Sequence, residues 1–205
     1  MDSTEKIRKR YDRAARFYDL LESPMEIMSL KKWRIKVMRQ LEGRVLEVGV
    51  GTGKNIPYYP DNLDITAIDF STNMLSKARE KAVRYGKKVK RLQMDAQNMD
   101  FPDDSFDSVF TTCVFCSVPD PIKGLKEIRR VCKPDGKIIM IEHVRSEKAA
   151  LGLLMDLLNP LVVNVYGANI NRRTVENIQK AGFTSIEVRN LSSDIVKEII
   201  IRNVK

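Results

Sequence analysis

The chain has 205 residues, 43% hydrophobic and 31% charged, enough for one globular domain that buries about 70% of the surface exposed by the unfolded form. Three cysteines and a single histidine, His143, argue against a disulfide framework and a Cys/His zinc cluster, so reduced thiols and no metal are expected. The formal charge of +9 suits an anionic partner, either a nucleic acid or an acidic membrane surface, or serves solubility alone.

The N-terminus is mixed in charge and lacks an apolar core. No secretory or transit signal is read there, and a cytoplasmic location is the expectation. From Ser3 to Leu41, Ile7, Tyr11, Ala14, Phe17, Tyr18 and Leu21 recur near helical spacing, with a break around Ser23 and Pro24, which predicts a helical lid. RVLEVGVG (44–51) is a valine-rich run ending in glycine, the pattern of a strand buried on both faces of a parallel sheet. A helix should follow it. Strand DITAID (64–69), a helix from Thr72 to about Tyr85, strand VKRLQMD (89–95) and a loop through NMDFPDDSF continue the alternation.

DSVFTTCVF is the fourth strand. A Pro119-Asp-Pro121 turn leads into a helix marked by Ile122, Leu125, Ile128 and Val131. Lys133 to Gly136 (KPDG) reads as a turn delivering KIIMIEHV (137–144), the most apolar strand. Beyond it lie an apolar insert, LGLLMDLLNPLVVNVYG (151–167), a helix from about Arg173 to Lys180, a stop at Ala181 to Phe183, and two β-rich runs, SIEVRNL and VKEIIIRN. Repeated βα alternation predicts an α/β fold: a doubly wound, mostly parallel seven-stranded sheet with an antiparallel edge. All 205 residues form one domain in this reading, with the N-terminal helical lid at 1–43, a ligand-binding core at 44–146, and the insert and edge strands at 147–205.

The strongest chemical signal is Glu47-Val-Gly49-Val-Gly51-Thr-Gly53, placed where a strand ends. Open α/β sheets bind ligands there, and glycines admit a ligand to the backbone. Lys54 stands where a dinucleotide fingerprint needs a small residue, and Asn55 where a P-loop needs Ser or Thr, so neither a nicotinamide nor a gripped phosphate fits. Asp69, twenty residues after Gly49, ends the second strand, where a carboxylate can accept from both ribose hydroxyls. Asp95 and Ala96 end the third, where a carboxylate can accept from an adenine amine. Each acid alone also reads as a helix cap or loop carboxylate. In register on successive strand ends, they suit a cationic cofactor without phosphates.

VLEVGVGTG, AIDFSTNML and MDAQNMDFPDDSFDSVF resemble the first, second, and third and fourth motifs of the class I S-adenosylmethionine (SAM)-dependent methyltransferases. YDRAARFYDL, PYYP (57–60), CSVPDP, IEHV and NINRRTVENIQKAGF resemble a narrower group: bacterial phospholipid N-methyltransferases, ubiquinone and menaquinone C-methyltransferases, and animal methyltransferase-like proteins acting on thiols. The resemblance implies a Rossmann-like fold, SAM as cofactor and S-adenosylhomocysteine as product. It implies that Glu47, Gly49, Gly51 and Gly53 face the methionine part, Asp69 the ribose, and Asp95 with Ala96 the adenine. Phe70 and Met74 would flank the adenosine, and Tyr11 and Tyr18 would close the site. Thr52, Asn55 and Thr111 are expected to bind cofactor as well. Tyr11, Tyr18 and Met74 read equally as ordinary packing at helical spacing.

A sulfonium is already an activated methyl donor, so alignment and water exclusion are the protein's main tasks. An ammonium acceptor must first lose a proton, for which Glu142 and His143 are the catalytic candidates. The other reading of His143 is a packed or capping residue. Cys113 and Cys116 follow a strand rather than open a helix, and read as buried thiols near the cofactor. The insert, interrupted by Asp156, Asn159 and Pro160, is too broken to span a bilayer. It lines a greasy acceptor pocket, packs as a core helix, or lies with the basic N-terminal helix on an anionic membrane. The expected activity is methyl transfer to a small lipophilic acceptor, first a phosphatidylethanolamine-type amine, with a quinol ring or an alkyl thiol as alternatives. A nucleic-acid methyltransferase is a second hypothesis, opposed by Thr111-Thr-Cys-Val-Phe115 standing where an Asn/Asp-Pro-Pro-aromatic motif belongs. A non-catalytic SAM-binding module is a third.

Overall fold

The computed structural model describes Glu5, Ile7 and residues 30–205. Tyr11, Tyr18 and the break at Ser23 and Pro24 lie outside the described residues. The described part of the expected lid holds helix α1 (Lys31–Met38). Leu30, Arg34, Val37, Met38 and Leu41 are buried at helical spacing, which presses one stripe against the sheet.

The strands are β1 (Arg44–Val48), β2 (Asp64–Asp69), β3 (Lys90–Gln93), β4 (Phe106–Thr112), β5 (Cys132–His143), β6 (Ser185–Ser192) and β7 (Val196–Arg202). They form one seven-stranded sheet in the order β3-β2-β1-β4-β5-β7-β6. The first five pair in parallel, while β7 runs antiparallel to both β5 and β6. The doubly wound sheet with an antiparallel edge is therefore observed. Chain order reverses at β1, with β2 on one side and β4 on the other, and the crevice above those strand ends is the topological switch point.

Alternate residues of each strand feed opposite cores. Leu46, Val48, Val109, Ile138 and Met140 pack with helices α3 (Pro121–Val131) and α5 (Thr174–Lys180) on one face. Val45, Ile65, Phe110, Ile139 and Ile141 pack with α1 and α2 (Thr72–Arg84) on the other. Both cavity-side helices start on side-chain caps. Ser71 Oγ accepts the Met74 amide at 3.1 Å, and Asp120 Oδ1 accepts that of Lys123 at 3.0 Å.

Four expectations change. No α-helix follows β1; turns lead to a short 3-10 helix (Ile56–Tyr58), and Tyr59, ahead of Pro60, takes φ −58°, ψ 127°, the extended state proline imposes on its predecessor. β4 stops at Thr112 because Cys113 adopts φ 57°, which an extended run cannot continue through. The KPDG turn lies inside β5 as a bulge: pairing jumps from Phe106↔Cys132 to Ser108↔Lys137, with Asp135 at φ 59°. Lastly, the insert forms α4 (Ala149–Tyr166), closed by Gly167 at φ 79°, and its leucines face out rather than into a core. Leu153, Leu157 and Leu161 are 66%, 77% and 64% exposed, whereas Met155 is buried. Among the described residues no helix is long and apolar enough to cross a membrane, and no group of three or more His, Cys, Asp or Glu side chains could hold a metal ion.

Candidate active site

A cavity opens at the switch point, above the carboxyl ends of β1, β2 and β4, the place where open α/β sheets take their ligands. The glycine turn supplies one wall through Gly49, Gly51 and Thr52. Gly49 has φ 73°, and a Cβ there would sit 2.6 Å from Val114 Cγ2 on the facing wall, so only glycine lets the two walls close. Gly51 has φ 54° and open space where a Cβ would stand. A methyl group there would take up ligand room.

The β2 end supplies Asp69 and Phe70, and the first turn of α2 adds Met74. Asp69 is aimed by two amides: Gly51 N–H donates to Oδ2 at 2.8 Å and Ser71 N–H to Oδ1 at 2.9 Å. Asp95 and Ala96 form the next part of the lining. Asp95 also closes a local turn, accepting from the Gln97 amide at 2.8 Å, while Gln97 Oε1 accepts the Asp120 amide at 2.9 Å. The loop and ligand readings of Asp95 are thus compatible in one geometry.

Glu47, Gly53, Asn55 and Thr111 stand behind the cavity rather than among its described lining residues. Glu47 is fully buried, accepts from Asn55 Nδ2 at 2.5 Å and is hydrogen-bonded by the Tyr59 hydroxyl. Burial pushes its carboxyl up to about 8, against the Asn55 bond and the charge of Arg34. Arg34 Nη1 donates to Asn55 Oδ1 at 2.7 Å and to Thr112 Oγ1 at 2.9 Å. Arg34 and Thr112, which the motif reading missed, both line the cavity. The signal was present: Arg34 is a charge within the apolar stripe of α1, a placement that calls for buried partners.

The two catalytic candidates point to opposite faces of β5. Neither is among the cavity's described lining residues. Glu142 is fully buried and accepts from Thr111 Oγ1 at 2.7 Å and from the Val114 and Phe115 amides at 3.1 Å each. Burial lifts it to about 7, opposed by those bonds and by Arg172. It braces the loop after β4, whose Cys113, Val114, Ser117 and Val118 line the cavity. His143 is half-buried, and desolvation lowers its pKa, favouring the neutral ring. Cys116 is a buried thiol pushed up to about 12, mainly by burial, and so unreactive.

The lining fits SAM on its own chemistry: an aimed carboxylate at Asp69, apolar side chains at Phe70 and Met74, open space beside the backbone at Gly51, and a buried cation, Arg34, of the sign that suits the carboxylate of the methionine part. A family model described as a methyltransferase domain matches residues 46–140. A phosphatidylethanolamine N-methyltransferase of Cereibacter sphaeroides is 45% identical over 111 residues, or 53% of this chain and 55% of that protein. The chain thus spans about half the length of that relative. A thiol S-methyltransferase of Rattus norvegicus is 32% identical over 191 residues, covering 85% of this chain and 73% of the relative. The crystal structure of a SAM-dependent methyltransferase from Thermotoga maritima shares the fold, with TM-score 0.71 at 22% identity over 96% of this chain and 99% of that one. An aimed carboxylate at the end of β2 and a relative 32% identical and matched over most of both chains lead to one conclusion: the chain belongs to the SAM-dependent methyltransferases, with SAM as its cofactor.

Proposed function

We propose that the chain methylates the head-group amine of a phospholipid of the phosphatidylethanolamine type, at the cytoplasmic surface of an anionic membrane. The observation that carries this reading is the 45% identity to a phosphatidylethanolamine N-methyltransferase. The outward aliphatic face of α4 suits a lipid-borne acceptor, and nucleic acid has no part in this reading.

SAM supplies a methyl group already activated by its sulfonium. The chain's own residues hold and enclose. Gly49, Gly51 and Thr52 meet the methionine part, with Glu47, Gly53, Asn55 and Thr111 supporting that wall from behind. Asp69 accepts from the ribose, Phe70 and Met74 sandwich the adenosine, and Asp95 with Ala96 takes the adenine edge. A head-group ammonium must shed a proton before it attacks. Of the two candidates for that proton, His143 is the freer, its burial favouring the neutral ring, whereas Glu142, already engaged by three donors, positions the cavity wall.

A second reading, thiol S-methylation, is favoured by the 85% of the chain that the rat relative covers. Transfer of labelled methyl from SAM to phosphatidylethanolamine, a quinol and an alkyl thiol, assayed side by side, separates the readings. Label in the phospholipid is expected. Label confined to the thiol or the quinol would overturn the proposal.

A further inference from the structure

Helix α4 is built inside out. Asp156, its only charged residue, turns toward the body, where it takes the Arg145 guanidinium at 2.8 Å and the Asn171 amide at 3.0 Å. Asn159 also turns inward, accepting the Ile170 N–H at 2.9 Å and donating to Asn169 Oδ1 at 3.2 Å. Leu153, Leu157, Leu161 and Val165, each four residues on, are 66%, 77%, 64% and 64% exposed. That spacing sets them in one line along the helix, about 18 Å from Leu153 to Val165 at 1.5 Å per residue. A helix facing water carries the reverse pattern.

The occupant is identified by shape and charge. The line is convex and uncharged, which suits insertion of a helix lying in a membrane interface. The formal charge of +9 repels a second copy and attracts anionic lipid.

The clamps that hold α4 also reach the cofactor site. The Asn169 backbone amide and side-chain Nδ2 both donate to the Cys116 carbonyl, at 2.8 and 3.0 Å. Arg172 Nη2 donates to the Val118 carbonyl at 2.9 Å. These carbonyls belong to the loop whose Val114, Ser117 and Val118 line the cavity. A polar chain therefore runs from Asn159 on α4, through Asn169, to the cavity wall.

We propose that α4 seats its outward aliphatic line on an anionic bilayer surface, and that this seating tightens cofactor binding through the Asn159–Asn169–Cys116 chain. Seating holds α4 and the wall it clamps in place, so less order remains to be imposed when the cofactor binds. Linkage makes the effect reciprocal: bound cofactor tightens the hold on the bilayer by the same factor. The inference rests on the cavity being the SAM site and deepens the phospholipid reading.

The test uses vesicles of equal parts phosphatidylcholine and phosphatidylglycerol, which carry no amine to methylate, so its outcome is separate from that of the acceptor assay. Vesicle co-sedimentation and calorimetric affinity for S-adenosylhomocysteine are measured with and without vesicles. Wild type should co-sediment and bind S-adenosylhomocysteine about fivefold more tightly on vesicles, the low end of ordinary coupling. The Leu157→Glu, Leu161→Glu double variant should neither sediment nor show the gain, while matching wild-type affinity without vesicles. Asn169→Ala should sediment yet lose most of the gain. Sedimentation of the double variant at the wild-type level would overturn the proposal, as would wild-type sedimentation with no change in affinity. A vesicle-free dimer that the double variant dissolves would assign the face to a second copy and overturn it too.

Discussion

Asp69 is held by two amides and lines the cavity, so its charge can be tested with little change of shape. Asp69→Asn should weaken S-adenosylhomocysteine binding about 10- to 100-fold, the worth of a hydrogen bond to a charged group, as read by titration calorimetry. An unchanged affinity would mean that the ribose lies elsewhere. His143 and Glu142 are adjacent in sequence but lie on opposite faces of β5, so their variants should fail differently. His143→Ala should lower kcat by about 100-fold or more while leaving cofactor affinity in place. Glu142→Gln, which disturbs the brace under Val114 and Phe115, should weaken cofactor binding more than it slows turnover. Equal losses in kcat for both variants would remove the distinction between proton acceptor and brace.

At the scale of elements, the joint between α3 and β5 depends on Asn203, which is fully buried. Its Nδ2 donates to the carbonyls of Arg129, Cys132 and Lys133 at 3.0, 2.8 and 3.1 Å. Asn203→Ala should cost about 1–3 kcal/mol, the penalty of buried carbonyls left unpaired, seen as a lower urea midpoint with unchanged cofactor affinity. This joint also shows where sequence reading stops. KPDG carries every local signal of a turn, yet a side chain 70 residues or more away along the chain secures it as a bulge within a strand. DITAID, by contrast, was legible to the residue, because a run buried on both faces between two parallel neighbours leaves no other state. The glycine turn and Asp69 were legible because their spacing is local to one pair of successive parallel strands, β1 and β2. Arg34, Thr112 and the brace by Glu142 were not, since each depends on a partner brought near by the sheet. The polarity of α4 was hidden for a related reason: its periodicity marks an apolar face without saying whether that face turns in or out.

For the molecule as a whole, burial pushes Glu47 to about 8 and Glu142 to about 7, from an ordinary value of 4.5. Across that interval the folded chain retains protons that the unfolded chain has released, so stability falls as pH rises and is lowest once both groups have ionised. His143 is shifted the other way, lowered from 6.5, and so acts against this trend only below that value. From pH 6.5 to 8 the urea midpoint should therefore decline, and Glu47→Gln should flatten the slope; a level or rising wild-type midpoint would show that these carboxylates are solvated. The order of the strands has a further consequence, for self-association. Among the described residues the sheet is open, and its outermost strands are β3 and β6, each with one side not paired to a further strand. β3 carries Lys90 and Arg91, and β6 carries Glu187 and Arg189. An incoming strand would have to strip water from those charges, so both borders of the sheet resist templated growth into fibrils.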